Sequence, residues 1–266
     1  MKMNFRSPRR AVIATIVVAT FLAVPAVLLA THSWGGYHWA RTSNPFNLKV
    51  GDNVSGAWDG VLDTTISDWT QSTVLNLNKV AGQSKGRCRP TTGRVEVCND
   101  TYGNNGWLGV AQIWLQSGTQ HIVQGTVKLN DTYHNSAPYN TTAWRNLVSC
   151  QEVGHTLGLD HQDENFDNPN LGTCMDYTND PSTNQHPNQH DYDELQIIYS
   201  HVDSTTTVGA SLPSGLNQID FEGPRQWGKL IHEAKDHSTS VYELDFGTYK
   251  VHTFVIWTLE ERGRHE

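Results

Sequence analysis

The stretch Cys150-Gln151-Glu152-Val153-Gly154-His155-Thr156-Leu157-Gly158-Leu159-Asp160-His161 decides how the rest of this chain is read. At helical pitch Gln151 and His155 are four apart and share a face, with Glu152 beside them. Gly158 lets the chain turn off the helix, because glycine enters the left-handed region without a side-chain penalty. That turn can swing His161 back towards the side chains left on the helix. Two imidazoles, one more polar side chain and a carboxylate at this spacing suit a catalytic zinc site: three ligands, an open fourth position and a base for the bound water.

Outward from the motif, the periodicity predicts a helix over 141–157. Ala143, Leu147, Cys150, Gly154 and Leu157 form the stripe expected to pack on a sheet. Val148, Gln151, Glu152 and His155 fall on another face, the one left for chemistry. Upstream, apolar spacing predicts a helix over 54–69, capped by Asp52 or Asn53. Strands are expected at 74–80, 94–98, 107–115 and 121–130, with the turn Gly103-Asn104-Asn105-Gly106 before the third. In the last of them Val123, Val127 and Leu129 share one face. Residues 31–52 read as an extended entry segment. Downstream, a polar loop runs over 162–172 to Cys174-Met175-Asp176-Tyr177, and a short helix is expected over 191–199.

The motif is nearly H-E-x-x-H-x-x-G-x-x-H, and with Met175 in a turn after His161 it resembles the metzincin zinc metallopeptidases. Asp191-Tyr192-Asp193-Glu194-Leu195 and the residues after it look like the C-terminal helix of matrixin-type catalytic domains. The resemblance covers roughly 45–202 and departs from the signature at its first position, where Gln151 replaces histidine. It implies an α/β (α+β) fold: a twisted mixed β-sheet, an active-site helix, a Met-turn and a C-terminal helix. It also implies Zn2+ held by His155, His161 and Gln151, with Glu152 as general base. Tyr177 would stabilise the tetrahedral intermediate, and Met175 would pack beneath the metal. The reaction would be hydrolysis of a protein or peptide substrate, which an edge strand, 121–130, would align by backbone pairing.

Three readings of Gln151 stand side by side. Its amide oxygen coordinates zinc as a neutral, weaker ligand; another histidine (His134, His186 or His190) fills the place; or the scaffold holds no zinc and serves as an extracellular binding module. Ca2+ is a second candidate cation at Asp163, Glu164 and Asp167, although their spacing matches no known loop and a solvated acidic loop is the better reading.

Residues 1–30 have the pattern of a signal peptide: Lys2, Arg6, Arg9 and Arg10, then an apolar run over 11–30 that is also long enough for an uncleaved membrane anchor. Either way the remainder is exported, and secretion is the expected localisation. Without those four bases the chain carries 15 bases against 27 acids, a formal charge of −12. That argues against nucleic acid or an anionic membrane as partner. All four cysteines lie beyond residue 30. Of three possible pairings, Cys88–Cys98 and Cys150–Cys174 are favoured. The domain reading is 31–203 for the metallopeptidase-like domain and 204–215 for a Thr/Ser/Gly/Pro linker. Residues 216–266 then form a small β-rich element with strands at 229–232, 240–246 and 250–257, packed on the main domain or a partner. No cysteine lies between the signal and the first helix, so latency through a cysteine switch is excluded. The sequence leaves oligomeric state open.

Overall fold

Two strands rich in alternating apolar residues, β5 (Trp107–Gln116) and β6 (His121–Asn130), form the centre of the sheet around which everything else is placed. The computed structural model describes residues 1, 32–84, 87–165, 168–211, 221 and 223–262. Residues 31–266 form one unit. The signal-like segment over 1–30 lies, apart from Met1, outside the described residues, and among the described residues no helix is long and apolar enough to cross a membrane.

The remaining strands are β1 (His38–Trp39), β2 (Phe46–Asn53), β3 (Leu75–Ala81), β4 (Val95–Asp100), β7 (Lys229–Glu233), β8 (Thr239–Asp245) and β9 (Tyr249–Trp257). Their order across one mixed sheet is β3-β2-β4-β6-β5-β9-β8-β7, with β1 paired to β6. The first half is parallel, and from β6 onward each neighbour is antiparallel. Parallel neighbours need crossovers. Helix α1 (Asp59–Trp69), preceded by a 3-10 turn at Gly56–Trp58, supplies the one between β2 and β3. The short α2 (Asp131–His134) leads to the central α3 (Thr142–Thr156), followed by α4 (Gln189–Ile198) and the short α5 (Leu259–Arg262). This is a mixed α/β architecture.

Several expectations need correction. Residues 31–52 are not merely an entry segment: Phe46, Leu48 and Val50 are buried while Asn47 and Lys49 are exposed, and the run pairs with both β3 and β4. That alternation was a strand signal. Strand β6 is no edge strand, since β4 and β5 flank it. Nor do its valines share a face. The β5–β6 pairing shifts register between Trp114 and Leu115, which puts Val123 with Trp107, Val110 and Trp114 on the face away from α3. Val127 and Leu129 lie in the main core with α3.

The C-terminal strands are an integral part of the same sheet. β9 runs antiparallel to β5 from Trp107↔Trp257 to Gln116↔Tyr249, and Phe246–Tyr249 closes the β8–β9 hairpin. Such pairing satisfies a long row of backbone donors and acceptors that would otherwise face solvent. The linker-like residues are also docked: Thr207 donates its amide to the Ala40 carbonyl, and Gly209 donates to Gly93. Cys88–Cys98 and Cys150–Cys174 are the two disulfides.

Candidate functional site

Helix α3 is buried along almost its whole second half, and its faces are used differently from the expected division. The side bearing Val148 and Glu152 packs on the sheet at Gly109 of β5. A Cβ added at Gly109 would stand 2.5 Å from Val148 and 2.7 Å from Glu152 Oε1, so glycine makes room for the carboxyl there. The other side meets α1: Trp69 donates its indole N–H to the Cys150 carbonyl, and Thr65 and Ser149 share a hydroxyl hydrogen bond. At Gly154 the Met175 sulfur and the Trp69 ring come so close that a side chain would not fit. Met175 thus packs against the helix one residue before His155.

The end of α3 is held by distant parts of the chain. Trp39 donates its indole N–H to the Thr156 carbonyl at 2.9 Å, and the Tyr199 hydroxyl donates to Leu157 at 2.9 Å. Trp34 donates its amide to Gly158. These bonds satisfy carbonyls that a helix end leaves open. Gly158 has φ +98°, and a Cβ there would collide with the Tyr37 carbonyl, so both backbone conformation and space demand glycine.

The turn brings His161 back to His155, their ring centroids 4.6 Å apart. His155 Nδ1 meets the Leu159 carbonyl at 2.9 Å, which makes Nδ1 the donor and leaves Nε2 with the lone pair. His161 Nδ1 lies 3.0 Å from the Tyr177 hydroxyl, and its Nε2 is buried without a partner. Tyr177 also hydrogen-bonds Thr239 of β8 and reaches Glu164 at 3.5 Å. Gln151 lines a small cavity with Tyr177, Thr239 and Ile256.

Burial sets the electrostatics. Glu152 is fully buried and neither carboxyl oxygen has a hydrogen-bond partner, so desolvation pushes its pKa well above the ordinary carboxylate range. The nearby Ala111 backbone opposes that rise. Burial, then the neighbouring His161, pushes His155 down to about 3, which keeps its imidazole neutral. Burial raises the Tyr177 hydroxyl well above its usual value, with Glu164 adding to the rise.

The donor set fits a divalent transition metal only in part. The neutral His155 imidazole, the orphaned Nε2 of His161 and the orphaned carboxyl of Glu152 are suitable chemistry. Among the described residues, however, His155 belongs to no trio of histidine, cysteine or carboxylate donors within 4.8 Å. None of the three substitute histidines is engaged there. His134 lies against Trp58 with Nδ1 on the Tyr139 carbonyl, His186 pairs with Asp68, and His190 stacks on His32. Of the residues expected as the third ligand, Gln151 alone is left, and it lines the adjoining cavity with Tyr177.

Trios that could hold a metal ion do occur: His32–His190–Asp191, His38–His201–Asp203 and Asp160–His161–Glu164. Sequence reasoning grouped none of the three: the first two join distant segments, and in the third it set His161 and Glu164 in different candidate sites and left out Asp160. The calcium reading finds no common point. Asp163 accepts from Asn165 and Asn168, Glu164 accepts from His232, and Asp167 lies outside the described residues.

What lies over the site was not expected. In β9 the side chains of His252, Phe254 and Ile256 alternate onto the α3 side of the sheet. The Phe254 ring stacks on His155, centroids 4.5 Å apart and planes 8° apart. No protein-family model matches the chain, and no curated protein matches it.

Proposed function

We propose that this chain is an exported, metzincin-type zinc metallopeptidase whose first ligand is the amide of Gln151. The observation that carries the reading is the fully buried Glu152 carboxyl, without a hydrogen-bond partner and one turn before His155 on α3. A carboxyl buried without hydrogen bonds costs roughly several kcal/mol, and a group in that state is a candidate site of chemistry.

His155, His161 and Gln151 would hold the ion. Zinc supplies Lewis acidity that polarises a peptide carbonyl and acidifies bound water. Glu152, whose pKa burial raises, would take a proton from the attacking water and deliver it to the leaving amine. Tyr177 contributes a hydroxyl that stays protonated and can donate to a developing oxyanion. Phe254 covers one face of the His155 ring, so a peptide would approach from the ring edge or the other face.

That cover also favours a second reading, a non-catalytic extracellular binding module on the same scaffold. One experiment separates the two. Zinc content is measured on the native chain, His155→Ala and Gln151→His, and hydrolysis of an unfolded protein substrate is assayed with Glu152→Gln as blank. Zinc lost in His155→Ala, and hydrolysis lost in Glu152→Gln, support the peptidase. Zinc at this site only after Gln151→His, with no hydrolysis above the blank, gives the binding module.

A further inference from the structure

The geometry points to a second transition-metal site, built by His38, His201 and Asp203 with His121 beside them, of a donor type that takes zinc. These residues come from three separate segments: β1, the first residue of β6, and the chain just after α4. Backbone pairing of β1 with β6 sets His38 directly opposite His121.

The donor atoms converge on one small volume. His38 Nε2 lies 3.2 Å from His201 Nε2 and 3.5 Å from Asp203 Oδ1, and His201 Nε2 lies 3.7 Å from the same oxygen. Four ligands arranged tetrahedrally at ordinary zinc bond lengths stand about 3.3 Å from one another. The triangle therefore has the size of one face of such a site. His121 Nε2, 3.2 Å from Asp203 Oδ1, is placed to give the fourth ligand after a modest ring movement.

The groups behind the donors point the same way. His38 Nδ1 meets the Gly36 carbonyl at 2.8 Å, which puts the ring proton there and turns the Nε2 lone pair inward. Asp203 Oδ2 is taken by the Arg41 amide at 3.1 Å and by Arg41 Nη1 at 3.0 Å, leaving Oδ1 for the cluster. Arg41 itself is buried. His38 is buried while His201 is half exposed, so a hydrated ion has a path in. By contrast, Asp191 in the His32 trio already spends its carboxylate on Thr173 and the Asn188 cap.

The site sits behind the end of α3. Trp39, next to His38, holds the Thr156 carbonyl, and the His38 ring packs edge-on against Tyr199, which holds Leu157. A metal there fastens the N-terminal strand and the exit of α4 to the sheet. It would stiffen the support of the His155 turn without entering the reaction.

The competing account is a metal-free hydrogen-bond relay in which His201 donates to His38. The test is zinc titration of the chelator-stripped full chain against a chromophoric chelator, with cobalt(II) absorption as a second readout. Variants are His201→Ala, which changes a half-exposed ring, Asp203→Asn and, separately, His155→Ala. The proposal expects one equivalent that His155→Ala does not remove. It expects that equivalent's affinity to fall more than about 100-fold in His201→Ala and Asp203→Asn, with its cobalt spectrum lost. It also expects zinc to raise the melting temperature of His155→Ala but not of the His155→Ala/His201→Ala pair. Zinc stoichiometry, cobalt spectrum and zinc-dependent melting left unchanged by both His201→Ala and Asp203→Asn would overturn it, whatever the fate of the His155 site.

Discussion

Glu152 and Gly109 form a pair that neither segment announces alone. The carboxyl is tolerated because the facing strand residue has no side chain, and a Cβ there would meet Val148 and Glu152 at 2.5–2.7 Å. Gly109→Ala should lower unfolding free energy by about 1–3 kcal/mol, the usual cost of overpacking, read as a shift in urea midpoint. His134 gives a pH signature. Burial pushes its pKa down to about 4, against roughly 6.5 in an unfolded chain. Between those values the unfolded chain binds a proton that the folded chain does not, so stability is complete above about pH 6.5 and falls as the pH drops towards 4. The loss assignable to this ring is about 1–3 kcal/mol. Urea titrations in chelator at pH 7 and 4.5 should show a smaller loss for His134→Gln than for the native chain. Equal losses would mean that His134 is not the group responsible.

At the scale of elements, the helix expected over 54–69 starts only at Asp59, after a 3-10 turn. Its expected caps Asp52 and Asn53 end β2 instead, whereas the two later helices were read closely. The expected helix over 141–157 is α3, begun by the Thr141 side chain accepting from the Trp144 amide. The expected helix over 191–199 begins two residues earlier, because Asn188 accepts from the amides of His190 and Asp191 while Asp191 accepts from the Asn188 amide. Asn188→Ala should therefore cost about 1–2 kcal/mol, measurable by thermal or urea unfolding. Face assignment was less legible. A helix sandwiched between a sheet and another helix buries most of its circumference, and residue type alone does not say which face meets which neighbour. Hence the supposed chemistry face carrying Val148 and Glu152 is the one against β5.

Across the whole molecule, the C-terminal strands and the disulfides bind distant parts together. Cys150–Cys174 joins α3 to the Met175 turn across 24 residues. Removing it as Cys150→Ser/Cys174→Ser should lower stability by about 3 kcal/mol on loop-closure grounds, checked by denaturant unfolding. The β9–β5 ladder predicts a second outcome. A protease site placed within residues 212–220 should, after cleavage, give two fragments that still co-elute on gel filtration in native buffer. Backbone pairing and the cluster of Trp114, Phe221, Trp227 and Val255 hold them. Separate elution would show that residues 216–266 fold and leave as an independent element.

The sequence by itself determined the local features: the α3 helix, the Gly158 turn and most strands. Each depends on period, cap or spacing within a short window, while the cysteine pairs favoured among three possible pairings were fixed by the structure. Only the tertiary structure decided that β6 is internal, that β9 lies against β5, and that Phe254 covers His155. It alone also brought His38, His121, His201 and Asp203 to one point. Strand order and the meeting of residues eighty or more positions apart follow from how the faces pack, and no short stretch of chain encodes that choice.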